Sequence, residues 1–288
     1  MNIKTSEFKA GLIGKGIQAS LTPAMHMQEG RVHGLNYRYE LIDVSVIGEA
    51  FVSLENLISD AEARGLSGLN ITHPFKQEVI NNLTELSDDA KALGAVNTVV
   101  LRDGKRIGQN TDWWGFSESM KRGLPDADLS NVVQLGAGGA GAATAYAILK
   151  LGAKHLTVFD PDQKKVISLF DSLSKAFPDA QLIVGDDITA SMANASGLIH
   201  ATPTGMAAYP GLPLDEAHLQ PHHWVSEVVY FPLETELLKV AAGKGCAVLN
   251  GGGMAVFQAV GAFEHFTGLK ADRARMIQHF LELTNQTS

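Results

Sequence analysis

The sequence predicts an α/β protein of two domains, in which a doubly wound parallel sheet is inserted into a first α/β domain. Three observations lead there. Stretches with strand character alternate with stretches of helical periodicity along the chain. The largely apolar run Val132, Val133, Gln134, Leu135 leads into Gly136-Ala137-Gly138-Gly139-Ala140-Gly141, and a helical pattern over 142–151 follows. Strand, tight glycine turn and helix in that order suit a dinucleotide pyrophosphate. The first glycine permits the turn, the second lets backbone approach phosphate oxygens, and the third lets helix pack closely on strand. Finally, helical stretches at 254–267 and 272–283 exceed the needs of that sheet and are expected to return to complete the first domain. The domains are therefore placed at 1–113 with 252–288, and at 114–251.

Taken in order, residues 11–17 read as a short strand through Leu12 and Ile13 that ends in a glycine loop. Ser20-Leu21-Thr22-Pro23 opens a helix, with hydroxyl residues ahead of a proline suited to the first turn, and Gly34 stops it. Residues 37–44 form a second strand with Tyr37, Tyr39 and Leu41 on one face. Helical periodicity over 49–64 runs through Phe51, Leu54, Leu57, Ile58 and Ala61, and Gly65 caps it. A third strand at 68–72 leads into His73-Pro74-Phe75-Lys76, with a short helix from Gln77 and another at 88–93. Residues 95–101 and 105–109 pair as a hairpin around Asp103-Gly104, a favoured two-residue turn. This first sheet is expected to be mostly parallel. A helix over 113–122 and an exposed polar link at 125–131 lead to the inserted domain. Its strands begin at Asn131 and continue at 155–159, 181–184, 197–201, 224–229 and 247–249, matching a Rossmann unit of order 3-2-1-4-5-6. The second of these closes on Asp160, about 20 residues past the glycines, where a carboxylate meets a nucleotide ribose.

The 288 residues leave ample core for two domains. An apolar content of 45% with 19% charged residues belongs to folded globular proteins. With a net charge of −8 and no basic stripe, nucleic acid is not an expected partner. Cys246 is the only cysteine, so no intrachain disulfide forms, which fits a reducing cytoplasm. Residues 1–10 are polar and lack a signal-peptide core, and no apolar run approaches the roughly 18 residues of a membrane span. A cytoplasmic protein without a membrane partner is expected. The ten histidines show no ligand spacing, so no metal is expected.

Lys76 is the sharpest candidate for chemistry. It follows a strand end, behind Pro74 and Phe75, where α/β sheets bind ligands. Apolar walls disfavour an ammonium and a nearby carboxylate opposes that, a balance suited to proton exchange with a hydroxyl. The alternative is a solvated lysine at a helix start. Asn70, Thr72, Asn97 and Asp112 all fall at strand ends or turns around it, although Asp112 equally suits a helix N-cap. Ser20 and Thr22 offer hydroxyls at a helix start to a carboxylate, or serve only as a cap. Gln258, about one turn into its helix, and Tyr230, at a strand end, face a ligand or simply pack.

Together these segments resemble the shikimate dehydrogenase family over nearly the whole chain. The telling pieces are Ser20-Leu21-Thr22-Pro23-Ala24-Met25-His26, Asn70-Ile71-Thr72-His73-Pro74-Phe75-Lys76, Gly94-Ala95-Val96-Asn97-Thr98 and Asn110-Thr111-Asp112. The glycine loop, Ala201-Thr202-Pro203 and residues 251–258 add to them. The resemblance implies an N-terminal substrate domain and reversible oxidation of a ring hydroxyl of shikimate, or a close relative such as quinate, by a nicotinamide cofactor. By matching motif, it implies that Lys76 and Asp112 are the catalytic pair and that Ser20 and Thr22 hold the substrate carboxylate. Asn70, Thr72, Asn97, Asp112 and Gln258 would take ring hydroxyls, and Tyr230 would line the substrate site. On the cofactor side it implies Gly136, Ala137, Gly138, Gly139, Ala140 and Gly141, with Asp160, Thr202 and Val228, and with Gly251 and Met254 near the nicotinamide.

Two departures from the family pattern matter. Biosynthetic members usually carry serine where Thr22 stands. NADP-dependent relatives usually have an Asn-Arg-Thr type segment where this chain has Asp160-Pro161-Asp162-Gln163-Lys164-Lys165. A carboxylate there accepts from a free ribose 2′-OH and repels a phosphate, and Lys164 and Lys165 lack the bidentate fork of arginine. NAD is therefore expected over NADP. Both departures, with Tyr230-Phe231-Pro232-Leu233-Glu234-Thr235-Glu236, resemble NAD-dependent quinate/shikimate dehydrogenases of catabolism. The competing expectations are a biosynthetic NADP enzyme, an aminoshikimate dehydrogenase, a dehydrogenase of another small metabolite, and a non-catalytic nucleotide sensor. A monomer or a homodimer is expected.

Overall fold

Buried β-branched and leucine residues set where the central strands of each sheet lie, and the strands then place the loops that matter. The computed structural model describes residues 7–48 and 53–286. The start of the helix expected at 49–64, Phe51 included, and residues 1–6 of the polar N-terminal stretch lie outside the described residues. The chain divides into two compact units, Met1–Thr111 with Gln258–Ser288, and Asp112–Phe257.

The first unit contains β1 (Glu7–Gly14), α1 (Thr22–Val32), β2 (Asn36–Asp43), the one-turn α2 (Val44–Ile47), α3 (Leu54–Ala63) and β3 (Gly68–Ile71). A 3₁₀ turn (Glu78–Asn82), β4 (Glu85–Leu86), α4 (Asp88–Leu93), β5 (Thr98–Arg102) and β6 (Lys105–Gln109) follow. They build a six-stranded sheet of order β2-β1-β3-β5-β6-β4. Pairing is parallel for β1 with β2 and β3 and for β4 with β6, and antiparallel for β5 with β3 and β6. The antiparallel part is the expected hairpin. Asp103 and Gly104 both adopt positive φ (53° and 71°), the backbone that matches a two-residue turn to strand twist. Ile13, Ile42, Leu69, Ile71 and Val99 from the strands pack with Leu54, Ile58 and Ala61, the apolar stripe of α3. The helix expected from Gln77 is instead the 3₁₀ turn, and α2 and β4 are too short to carry a periodicity of their own.

Residues from the C-terminal stretch join this unit through specific contacts. A methyl at Gly68 would sit 2.1 Å from the Phe266 ring, so the ring lies directly on β3. Glu29, only 1% exposed, accepts from Arg275 Nε and Nη2 (2.8 and 2.7 Å) and from the Asp272 N–H (2.8 Å), and lies 3.1 Å from His33 Nε2. Burial raises the Glu29 carboxyl, but the Arg275 guanidinium, the Asp272 N–H and His33 outweigh it and leave it below the usual carboxylate range.

The second unit holds α5 (Asp112–Gly123), β7 (Asn131–Leu135), α6 (Gly139–Lys150), β8 (His155–Phe159), α7 (Gln163–Ala176) and β9 (Gln181–Val184). After them come α8 (Ile188–Ala193), β10 (Gly197–His200), β11 (Trp224–Glu227), α9 (Glu236–Gly243) and β12 (Ala247–Leu249). Then α10 (Gly252–Thr267) begins, and α11 (Arg273–Gln286) ends the described chain. The sheet runs β12-β11-β10-β7-β8-β9, every pair parallel, which is the expected 3-2-1-4-5-6 order. The Trp224 indole lies against Gly197, where a methyl would fall 2.0 Å from the ring, and its N–H donates to the Asp128 carbonyl at 2.7 Å, tethering the polar link. Among the described residues no helix is long and apolar enough to cross a membrane.

Replacing Glu29 with glutamine turns an amide N–H₂ toward the Arg275 donors, and at pH 7 should cost about 1–3 kcal/mol. With its folded pKa depressed, the Glu29 carboxylate stabilises fully above its unfolded value of about 4.3, and that contribution disappears as pH falls through the lower folded value. Urea unfolding midpoints of parent and Glu29→Gln should therefore differ at pH 7 and converge in acid. A gap independent of pH would remove the carboxylate charge from the explanation.

Candidate active site

The carboxyl ends of β1, β2 and β3 lie on one edge of the first sheet, because these strands are parallel neighbours. The loop after β1 is held there by Asp43, the last residue of β2. Its carboxylate accepts from the Gln18 amide (2.9 Å) and from the backbone N–H groups of Gly16 (2.9 Å), Ser45 (3.0 Å) and Ile17 (3.0 Å), and those donors hold it well below the usual carboxylate range. This loop delivers Ser20 and Thr22, both half-buried. Thr22 opens α1, with Pro23 in its first turn, and its N–H donates to Ser20 Oγ at 3.3 Å.

After β3 the chain turns through 73–77, and Lys76 is half-buried on that turn. The Lys76 carbonyl accepts from the Val96 N–H at 2.8 Å, which fixes the turn beside Asn97. Asn70 and Asn97 are buried and linked: Asn70 Nδ2 donates to the Asn97 carbonyl (3.2 Å), and Asn70 Oδ1 accepts from the Tyr39 hydroxyl (2.8 Å). The Asn97 amide in turn brackets Thr111, accepting from its N–H (2.7 Å) and donating to its hydroxyl (3.0 Å). Thr72 continues β3, its N–H donating to the Ile13 carbonyl at 3.0 Å. Ser20 and Thr22 thus sit together, as do Lys76, Asn70 and Asn97. Gln258 is half-buried, nearly two turns inside α10 rather than one, because the helix begins at Gly252.

Asp112 follows Thr111 directly and is buried as the first residue inside α5. The expected cap role is corrected accordingly: the carboxylate lies within the first turn, at the positive end of the helix.

In the second unit the glycine loop has the geometry its spacing demands. Gly136 takes φ 100°, and a methyl there would lie 2.6 Å from the Ala201 carbonyl oxygen; one at Gly141 would lie 2.2 Å from the Gly136 carbonyl oxygen. At Gly138 and Gly139, by contrast, nothing lies within 4 Å of an added methyl, and no side chain caps the start of α6. Open space over uncapped N–H groups at a helix start is what a phosphate requires. Gln134, fully buried, ties the loop: its Nε2 donates to the carbonyls of Gly136 and Gly141 (2.8 Å each), and its Oε1 accepts from the Thr144 hydroxyl (2.9 Å). Asp160 Oδ2 accepts from the Ala137 N–H and Oδ1 from the Asp162 N–H, both at 2.9 Å.

The neighbouring strand ends contribute Thr202 and Val228. A methyl at Gly136 would come within 3.1 Å of Thr202 Cγ2, so Thr202 borders the glycine loop. One at Gly251 would meet the Val228 carbonyl oxygen at 2.2 Å, so these two residues are in contact, and Met254 is buried in the helix that follows. Tyr230 lies three residues beyond the end of β11, not at it, and is 42% exposed. Asp43, Gln134, His200 and Glu227 were not singled out from the sequence. For Gln134 and His200 the available signal was a polar residue inside or ending a largely apolar strand, whereas β2 and β11 carry other polar residues and nothing set Asp43 or Glu227 apart.

Over 285 residues the chain is 51% identical to the shikimate dehydrogenase (NADP(+)) of Pseudarthrobacter chlorophenolicus, covering 98% of this chain and 97% of that one. The chain belongs to the shikimate dehydrogenase family. The family model for the shikimate dehydrogenase substrate binding domain matches residues 12–99, which include Ser20, Thr22, Asn70, Thr72, Lys76 and Asn97. The quinate/shikimate dehydrogenase (NAD(+)) of Corynebacterium efficiens is 46% identical over 277 residues, 95% of this chain and 97% of its own length. Among solved structures, quinate dehydrogenase from Corynebacterium glutamicum in complex with NAD superposes with a TM-score of 0.91 at 45% identity, covering 96% of this chain and 99% of that one.

The loop geometry separates two substitutions that look alike in sequence. In this shikimate dehydrogenase family member, Gly141→Ala drives a methyl into backbone and should destabilise by about 1–3 kcal/mol. Gly138→Ala should leave the unfolding temperature unchanged. Thermal unfolding of the two purified variants checks this, and equal losses would contradict the packing role assigned to Gly141.

Proposed function

We propose that this chain, an oxidoreductase of the shikimate/quinate dehydrogenase family, moves a hydride reversibly between NAD and a ring hydroxyl of quinate or shikimate. The observation that carries the cofactor choice is Asp160. Its carboxylate is pinned to the glycine loop by the Ala137 N–H, and each oxygen, having accepted one backbone hydrogen bond, retains a lone pair for a ribose hydroxyl. A 2′-phosphate brought to the same place would meet a fixed negative charge. NADP is the second reading, favoured by one observation: relatives at 49–52% identity are named for NADP(+), and those at 46% for NAD(+).

When bound, the nicotinamide supplies the hydride acceptor or donor. The protein's own part is to hold the substrate and handle one proton. Ser20 Oγ already accepts from the Thr22 N–H, so its hydroxyl proton is the group offered to a substrate carboxylate, alongside the Thr22 hydroxyl. Thr72, Asn97, Asp112 and Gln258 take ring hydroxyls, and Tyr230 borders the ring, as the family motifs assign. Lys76 removes the hydroxyl proton as the carbinol carbon loses hydride and returns it in the reverse direction. Asp112 is its partner, the carboxylate that keeps the amine oriented. Orientation supplies much of the rate, and proton transfer adds about 10²–10⁴-fold.

Lys76→Ala should lower kcat by about 10²-fold or more while leaving the quinate or shikimate KM within a few-fold; a loss confined to KM would make Lys76 a binding group only. Initial rates with quinate and shikimate, each with NAD and NADP, test the substrate and cofactor assignments together. Asp160→Ala should raise the NADP/NAD ratio of kcat/KM, and an unchanged ratio would remove Asp160 from ribose recognition.

A further inference from the structure

His200 ends β10 and Glu227 ends the adjacent β11, paired in register, and both side chains are wholly buried. His200 Nδ1 lies 2.9 Å from both carboxylate oxygens of Glu227, and His200 Nε2 lies 2.5 Å from Thr202 Oγ1. Glu227 reaches further. Its Oε1 accepts from the backbone N–H groups of Val228 (2.9 Å) and Val229 (3.0 Å), and its Oε2 accepts from the Thr235 hydroxyl (3.1 Å), which itself caps α9. One carboxylate therefore governs two separate features of the loop edge: the Thr202 hydroxyl, through His200, and the main chain at Val228, directly. Thr202 abuts Gly136 of the glycine loop, and the Val228 carbonyl abuts Gly251.

We propose that His200 and Glu227 are positioning residues for the nicotinamide dinucleotide, locking the Thr202 hydroxyl and the Val228 main chain as one preformed edge. This rests on the cofactor reading above. Neither side chain can touch a ligand, since both are sealed beneath the strand ends, so each acts through the groups it holds: Thr202 for His200, and His200, Val228, Val229 and Thr235 for Glu227. A histidine is well suited to the link because its two ring nitrogens face opposite ways, one to the carboxylate and one to the hydroxyl. The low dielectric of the buried site strengthens each of these hydrogen bonds, and leaving either partner unmatched is correspondingly costly. A hydroxyl held by histidine need not be ordered when the cofactor binds, which is the usual gain from preorganisation.

The geometry gives the two residues different signatures. The His200 side chain reaches the edge only through Thr202, its carbonyl accepting from the Val228 N–H at 3.0 Å whatever the side chain, whereas the Glu227 carboxylate has a second route through Val228 and Val229. Dissociation constants for NADH, read by fluorescence titration on folded full-length variants, separate them. His200→Asn should raise the NADH Kd about tenfold, roughly the loss of one buried hydrogen bond. In a Thr202→Val background the same change should have less than about a twofold effect, since the link no longer ends on a hydroxyl. Glu227→Gln should still weaken NADH binding in that background, through Val228. Thr202→Val, at a half-buried position, keeps the test open if a core variant fails to fold, and it must itself weaken NADH binding. Independent, multiplying effects of His200→Asn and Thr202→Val would overturn the proposal. So would a fall in unfolding temperature with NADH affinity unchanged, which is all a purely structural role predicts. Absence of NADH and NADPH binding by the parent chain would instead sink the cofactor reading on which the proposal stands.

Discussion

Wherever a parallel strand ends, the chain must turn away while its last backbone groups remain buried, and each of those groups needs a partner. In both units the partner is a buried polar side chain at or next to the strand end. Asp43 closes the loop after β1, while Asn70 takes the Asn97 carbonyl ahead of β5 and Asn97 the Thr111 N–H beyond β6. Gln134 closes the glycine loop, and Glu227 the turn after β11. Ligands bind α/β sheets at these ends, so the groups that satisfy the backbone also fix the groups offered to a ligand.

This constraint accounts for what could be read from the sequence and what could not. The strands at His155–Phe159, Gln181–Val184 and Ala247–Leu249 were legible to the residue, because short apolar runs between turn signals have few alternatives. The glycine loop was legible because its spacing reflects a backbone requirement, visible as the 2.2 Å approach at Gly141. The candidate site was legible as motifs, since Lys76 and Asn97 recur within recognisable runs. Gln134 and the His200–Glu227 pair were not, because their value lies in partners brought close by folding: Gln134 is one polar residue in a strand, and Glu227 is 27 positions from His200. The two-residue β4 and the one-turn α2 are set by their neighbours rather than by a pattern of their own.

Cofactor choice shows why overall similarity and local chemistry can point apart. Identity over 285 positions averages the core, the turns and the surface, and one short segment such as that after β8 carries little weight in it. Relatives at 51% and 46% identity are named for different cofactors. Asp160 is held in place by the glycine loop, whose open helix start suits a phosphate.

The side-chain types chosen at these ends follow from a donor and acceptor count. Asn70 donates to a carbonyl and a hydroxyl while accepting from Tyr39, and Gln134 donates to two carbonyls while accepting from Thr144. Only an amide offers two N–H donors beside a carbonyl acceptor in one side chain. Asp43 and Asp160 face backbone or amide N–H groups, and Glu227 faces two N–H groups, a hydroxyl and an imidazole nitrogen. A carboxylate suits such a ring of donors, and an amide of the same shape would turn one N–H₂ against them. Asp160 is therefore constrained by the fold itself. The glycine loop asks for an acceptor at that point whether or not a ribose is bound, and a residue shaped for a 2′-phosphate would have to satisfy the Ala137 N–H by some other means.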